Sequence, residues 1–95
     1  MIKRIVKLEF LPEKMEEFKQ IFQENKEKII AFKGCHDVSL LQDTHQEHIF
    51  FTYSLWESEA HLEAYRQSEL FAGVWAKTKI LFNNKPFAWS VREIL

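Results

Sequence analysis

Thr52, Ser54 and Trp56 recur at every second position of one apolar segment. In a strand that spacing puts two hydroxyls and an indole N–H on a single face. An apolar wall carrying a few polar groups is what a small-molecule pocket uses to hold and orient a ring. The same pattern also fits a core Trp whose N–H meets a backbone carbonyl. The Thr52 hydroxyl could hold a substrate oxygen, or occupy a strand position that threonine favours. Tyr65 and Trp75 fall on a later helical stripe. Aromatics so placed either line a ligand cage or fill a core.

Four histidines invite a metal or acid–base reading. His45 and His48 flank Asp43 and Glu47, but a polar hairpin tip has the same composition, and no metal is expected. His36, beside Cys35, could act as a base at a pocket mouth, and His61 stands early in a helix. Imidazole is the group that changes charge near neutral pH. Neither residue is marked out as a general base, so the catalytic group stays unassigned. Cys35 lacks a C-x-x-C partner, which favours a structural thiol over a nucleophile. Glu13, Glu16 and Glu17 complement the dipole of a first helical turn, and Glu57 and Glu59 read the same way.

The chain that positions these groups has 95 residues, 46% of them apolar and 28% charged. That is the usage of one globular domain spanning residues 1–95. A core this small is thin, and an aromatic fraction of 15% partly offsets it. Thirteen Lys and Arg against 14 Asp and Glu give a net charge of −1. Nucleic acid is therefore not an expected partner, since phosphate binding calls for a basic excess. No apolar run approaches the roughly 20 residues of a membrane span. The opening Met1-Ile2-Lys3-Arg4 turns polar too early for a signal peptide. A lone cysteine excludes an internal disulfide and fits a reducing compartment, so a cytoplasmic location is expected. Gly34 and Gly73 are the only glycines and lie too far apart for a phosphate loop.

Residues 4–10 alternate, with Val6, Leu8 and Phe10 on one face of a predicted strand. Pro12 suits a first helical turn. Met15, Phe18, Ile21, Phe22 and Ile29 then recur at helical spacing up to a stop at Gly34, which predicts a helix over 13–32. Val38, Leu40 and Leu41 open a second strand, and the polar stretch 42–47 turns into a third, Ile49 to Trp56. Ser58 and Ser68 are N-caps for two helical pieces. Phe87, Trp89 and Val91 alternate in a last strand.

The order is β-α-β-β-α-β, the α+β pattern of a ferredoxin-like sandwich. Its helices cover one sheet face only. The opposite face keeps Ile49, Phe51, Tyr53 and Leu55, which predicts a homodimer joined through sheet faces.

From its first strand to its last, the chain resembles the antibiotic biosynthesis monooxygenase family of dimeric α+β barrels. The run Tyr53-Ser54-Leu55-Trp56-Glu57-Ser58-Glu59-Ala60, then Leu62 and Tyr65, carries the resemblance, with Ser68-Glu69-Leu70-Phe71 after it. The resemblance implies a monooxygenase that oxidises a quinol or other small aromatic substrate with O2, without cofactor. It also implies a pocket between sheet and helices, walled by Trp56, Thr52, Trp75 and Tyr65. An aromatic polyketide oxygenase of the family has Asn where Thr52 stands and Tyr where Leu62 stands, which argues against a hydroxyanthrone-like substrate. Heme-degrading relatives hold heme through a His at the place of Trp75 and use an Asn at the place of Val6, which argues against heme. The alternatives are a non-oxygenase ligand-binding or isomerase member of the same fold, and a structural dimer whose rings fill the pocket.

Overall fold

A computed structural model describes residues 1–95. Strand β1 (Ile2–Glu9) leads through a short 3-10 turn at Pro12–Lys14 into helix α1 (Met15–Ile30). Strands β2 (Cys35–Gln42) and β3 (Ile49–Trp56) follow, then helices α2 (Glu59–Arg66) and α3 (Glu69–Thr78). A second 3-10 turn, Lys79–Leu81, precedes strand β4 (Phe87–Val91). The four strands form one antiparallel sheet in the order β2-β3-β1-β4, with the helices on one face. This is the ferredoxin-like α+β arrangement.

Element boundaries differ from the expected ones by a few residues, for local reasons. β1 starts at Ile2 because β3 and β4 pair with it on both edges, from Ile2↔Trp56 and Lys3↔Val91 onward. Phe10 falls beyond the strand and makes an isolated bridge to Phe82. α1 starts at Met15, later than 13, because Pro12–Lys14 wind more tightly. It ends at Ile30, before a turn that closes at Gly34 with φ +88°. β2 begins at Cys35, opposite Trp56, with an irregularity between Cys35 and Asp37. Ser58 and Ser68 cap their helices, accepting from the backbone N–H groups of His61 and Phe71.

The core gathers at the Leu8–Phe50 end of the layer, where Phe10, Phe18, Ile21 and Leu81 close over the sheet. Phe10 stacks on Phe18 at 4.3 Å and on Phe82 at 5.3 Å between centroids. Toward Trp56 the same layer opens. Alternation along β3 sends Phe50, Thr52, Ser54 and Trp56 toward the helices, and Phe51, Tyr53 and Leu55 to the opposite face. That opposite face also carries Leu41, Phe87, Trp89 and Val91, all exposed. No helix is long and apolar enough to cross a membrane.

Candidate functional site

Between the sheet and the helices lies a cavity of about 380 Å³. That is within the size range of small-molecule sites. β1 and β3 make its floor with Val6, Thr52, Ser54 and Trp56. α1 closes one side with Phe22 and Asn25, while Tyr65, Phe71 and Trp75 come from α2 and α3. The cavity thus brings together the four residues singled out in the sequence: Trp56, Thr52, Tyr65 and Trp75.

Trp56 is only 1% exposed. Its indole N–H donates to Ser54 Oγ at 2.9 Å, a side-chain acceptor two residues back on the strand. Its ring stacks on Tyr65, with centroids 4.9 Å apart, and meets Phe32 edge-on at 6.4 Å. The N–H is therefore spent inside the protein, and what Trp56 and Ser54 present to the cavity is a ring and a hydroxyl. A backbone hydrogen bond fixes the strand end: Glu57 N–H, just past β3, donates at 2.8 Å to Gly34 O in the turn before β2.

Tyr65 continues an aromatic series across the helices. Its ring meets Phe71 at 5.3 Å, Phe71 stacks on Trp75 at 6.1 Å, and Trp75 meets Phe82 at 5.5 Å. Burial, with a smaller contribution from the charge of Cys35, pushes the Tyr65 phenol up to about 12. It is a neutral donor near pH 7 and unsuited to act as a base.

Several polar groups on the lining are already engaged. Thr78 Oγ1 donates to Val74 O at 2.7 Å, and Asn25 Nδ2 donates to Ile21 O at 2.7 Å. Arg66 Nη1 donates to Glu63 at 3.0 Å. Arg4 Nη1 donates to Ser90 Oγ at 2.9 Å, across the β1–β4 register. Burial, and then the nearby Arg66 charge, hold the Arg4 guanidinium below its usual value, with Glu63 opposing.

Arg4, Arg66 and Asn25 line the cavity and were not singled out in the sequence. For Arg4 a signal exists, because it shares the alternation phase of Val6 and Leu8 and so must face the helices.

None of the four histidines lines the cavity. His36 is exposed, 3.8 Å from Glu57, so it does not stand at the pocket mouth as a base. His61 bonds Ser58 Oγ through Nδ1 at 2.8 Å and packs beneath Gly34. His48 pairs with Glu9 at 3.2 Å, and His45 lies beside Thr44. Cys35 Sγ sits 3.6 Å from Asp37 O, and burial raises its thiol above the ordinary value. That works against thiolate chemistry. No group of three or more His, Cys, Asp or Glu side chains is placed to hold a metal ion.

The arrangement can sandwich a planar apolar ring and offer it a few hydroxyls and one cation. It presents no carboxylate or imidazole for general base work.

The chain is similar over nearly its whole length to several solved structures. An antibiotic biosynthesis monooxygenase superposes with a TM-score of 0.92 at 18% identity, covering 100% of both chains. A conserved protein from Methanosarcina mazei gives 0.93 at 20%, covering 98% of this chain and 92% of the other. A Pseudomonas aeruginosa protein gives 0.86 at 21%, covering 99% and 94%. At these identities the likeness is one of fold. No curated protein matches the chain. The model of the antibiotic biosynthesis monooxygenase family matches residues 1–76, from β1 into α3, and the chain belongs to that family.

Proposed function

We propose that the protein is a cofactor-independent monooxygenase that oxidises a quinol or similar hydroxylated aromatic with O2. The observation that carries this reading is the aromatic-walled cavity of about 380 Å³, in a chain of this family, with few polar groups to orient a ring. A quinol can supply all four electrons that O2 needs, ending as a hydroxyquinone with the second oxygen leaving as water. The chain's tasks are then to bind the ring, exclude water and favour the phenolate. Arg4 supplies positive charge to the cavity, and Thr52 a hydroxyl for a ring oxygen. The proposed working form is a homodimer through the sheet faces, because Phe87 is 51% exposed and Trp89 48%.

An oxygen electrode with a panel of benzo- and naphthoquinols tests the reaction. Uptake above autoxidation, abolished by heat denaturation, is expected. One observation favours a second reading, a non-oxygenase ligand-binding member of the fold: no general base lines the cavity, which also counts against an isomerase. Saturable quinol binding without uptake would establish that reading instead.

A further inference from the structure

We propose that the cavity is built for an acidic aromatic ligand, a planar ring bearing a carboxylate that the Arg4 guanidinium holds. The proposal rests on the cavity being a ligand site, as above, but not on the oxygen chemistry.

Arg4 lies on the helix-facing side of β1, in register with Ser54 on β3 and Ser90 on β4. It is half-buried, and its guanidinium offers five N–H donors in a rigid planar fork. One hydrogen bond, to Ser90 Oγ, engages it. Four cations pair with carboxylates, Lys3 with Glu93, Lys14 with Glu17, Lys19 with Glu16 and Arg66 with Glu63, and of the two arginines on the cavity only Arg66 is among them. Arg4 belongs to none of the ion pairs.

A partly desolvated guanidinium that makes no direct ion pair gains from an anion brought into contact with it. Burial, and then Arg66, hold Arg4 below its usual value, and Glu63, which Arg66 engages, only partly offsets them. Arg66 lines the same cavity but is paired with Glu63, so the net positive charge facing a ligand there is that of Arg4.

The rest of the lining says what the anion is attached to. Hydrophobic residues make up 13 of the 20 that surround the cavity. An apolar aromatic body with one anionic end matches that distribution. A phenolate presents a single oxygen, whereas a carboxylate presents two in the plane of the fork.

The test is isothermal titration of 2-naphthoate and of its uncharged isostere 2-naphthamide. The wild-type protein should bind the acid about ten- to a hundredfold more tightly, the range of a hydrogen bond to a charged group. In Arg4→Gln the acid should weaken to within about twofold of the amide, while the amide's own affinity holds. Arg4→Lys, which keeps the charge and loses the fork, should show an intermediate preference and serves if the Gln variant does not fold. Equal affinities in the wild type, binding of neither compound, or a preference that survives in Arg4→Gln would overturn the proposal. Absent quinol oxidation with the acid preference intact would refute the oxygenase reading alone. Active oxidation with equal affinities would refute the acid alone.

Discussion

Ser54 Oγ accepts the indole N–H of Trp56 at 2.9 Å within the layer between sheet and helices. Trp56 is 1% exposed and Ser54 8%, so water does not serve either group. Their separation of two residues on β3 puts both on the helix face, where the bond fixes the ring that floors the cavity. Ser54→Ala should leave a buried donor unpaired, at a cost of about 1–3 kcal/mol. In a chain of this size each kcal/mol lowers Tm by roughly 4–8 °C. Thermal unfolding of the variant checks this, and an unchanged Tm would show that the indole finds another acceptor.

Tyr65 stacks on the other side of the same indole, with planes 29° apart. Its phenol, raised by burial to about 12, keeps its proton in the fold where the unfolded chain has lost it. The sign follows: the contribution to stability is full below the ordinary value of 10 and is lost as pH rises through about 12. Absorbance of tyrosinate should therefore show a step near pH 12 that Tyr65→Phe removes. A wild-type titration complete by pH 10.5 would contradict it.

β3 was legible as an apolar, aromatic-rich run after a polar turn, and period two separated its faces, although Ile49, expected on the open face with Phe51, Tyr53 and Leu55, is buried at the strand's start. The helix caps were equally legible, since serine before an acidic first turn has a local meaning. Arg4 escaped notice because a charged strand residue ordinarily faces water. Its phase with Val6 and Leu8 outweighed its type. Whether Tyr65, Phe71 and Trp75 leave a gap or fill it depends on how α2 and α3 sit over the sheet, which no stripe encodes. The acceptor for Trp56 was open for a similar reason: a backbone carbonyl and Ser54 Oγ satisfy the indole equally, and only packing selects one.

The two glycines should respond oppositely to alanine. At Gly34, φ is +88° and an added Cβ would collide with the His61 side chain. Left-handed backbone and collision together should cost about 2 kcal/mol or more. Gly73 lies in α3 with nothing near an added Cβ, so Gly73→Ala should stabilise by about 0.5–1 kcal/mol. Denaturant midpoints of the two variants should move to opposite sides of the wild type. Midpoints moving the same way would contradict the pair.

On the outer sheet face, Phe87 and Trp89 stack at 6.4 Å and stand half exposed beside Val91. Light scattering at micromolar concentration should return twice the 11.4 kDa chain mass. An obligate interface of this kind buries on the order of 2,000 Å² or more. Trp89→Glu, a charge between Phe87 and Val91 on the edge strand β4, should give a monomer. A monomeric wild type would sink the sheet-face dimer.

Thr52 faces the cavity on β3, four residues before Trp56 and opposite Val6 on β1. Thr52→Val keeps the β-branched shape and strand preference while deleting the hydroxyl. If that hydroxyl holds a substrate oxygen, the variant should melt within a few degrees of the wild type. It should lose a few-fold to about tenfold in quinol-dependent oxygen uptake, the worth of one neutral hydrogen bond. Trp56→Phe works by a different route. It removes the donor to Ser54 and part of the stacked ring, so it should lower Tm and also free the Ser54 hydroxyl toward the ligand. The two variants thus separate a ligand contact from a supporting one. Stability loss in Trp56→Phe with unchanged kinetics per folded molecule would assign Trp56 to the core alone. Unchanged uptake in a stable Thr52→Val would remove Thr52 from the site, leaving Arg4 as the polar contact to pursue.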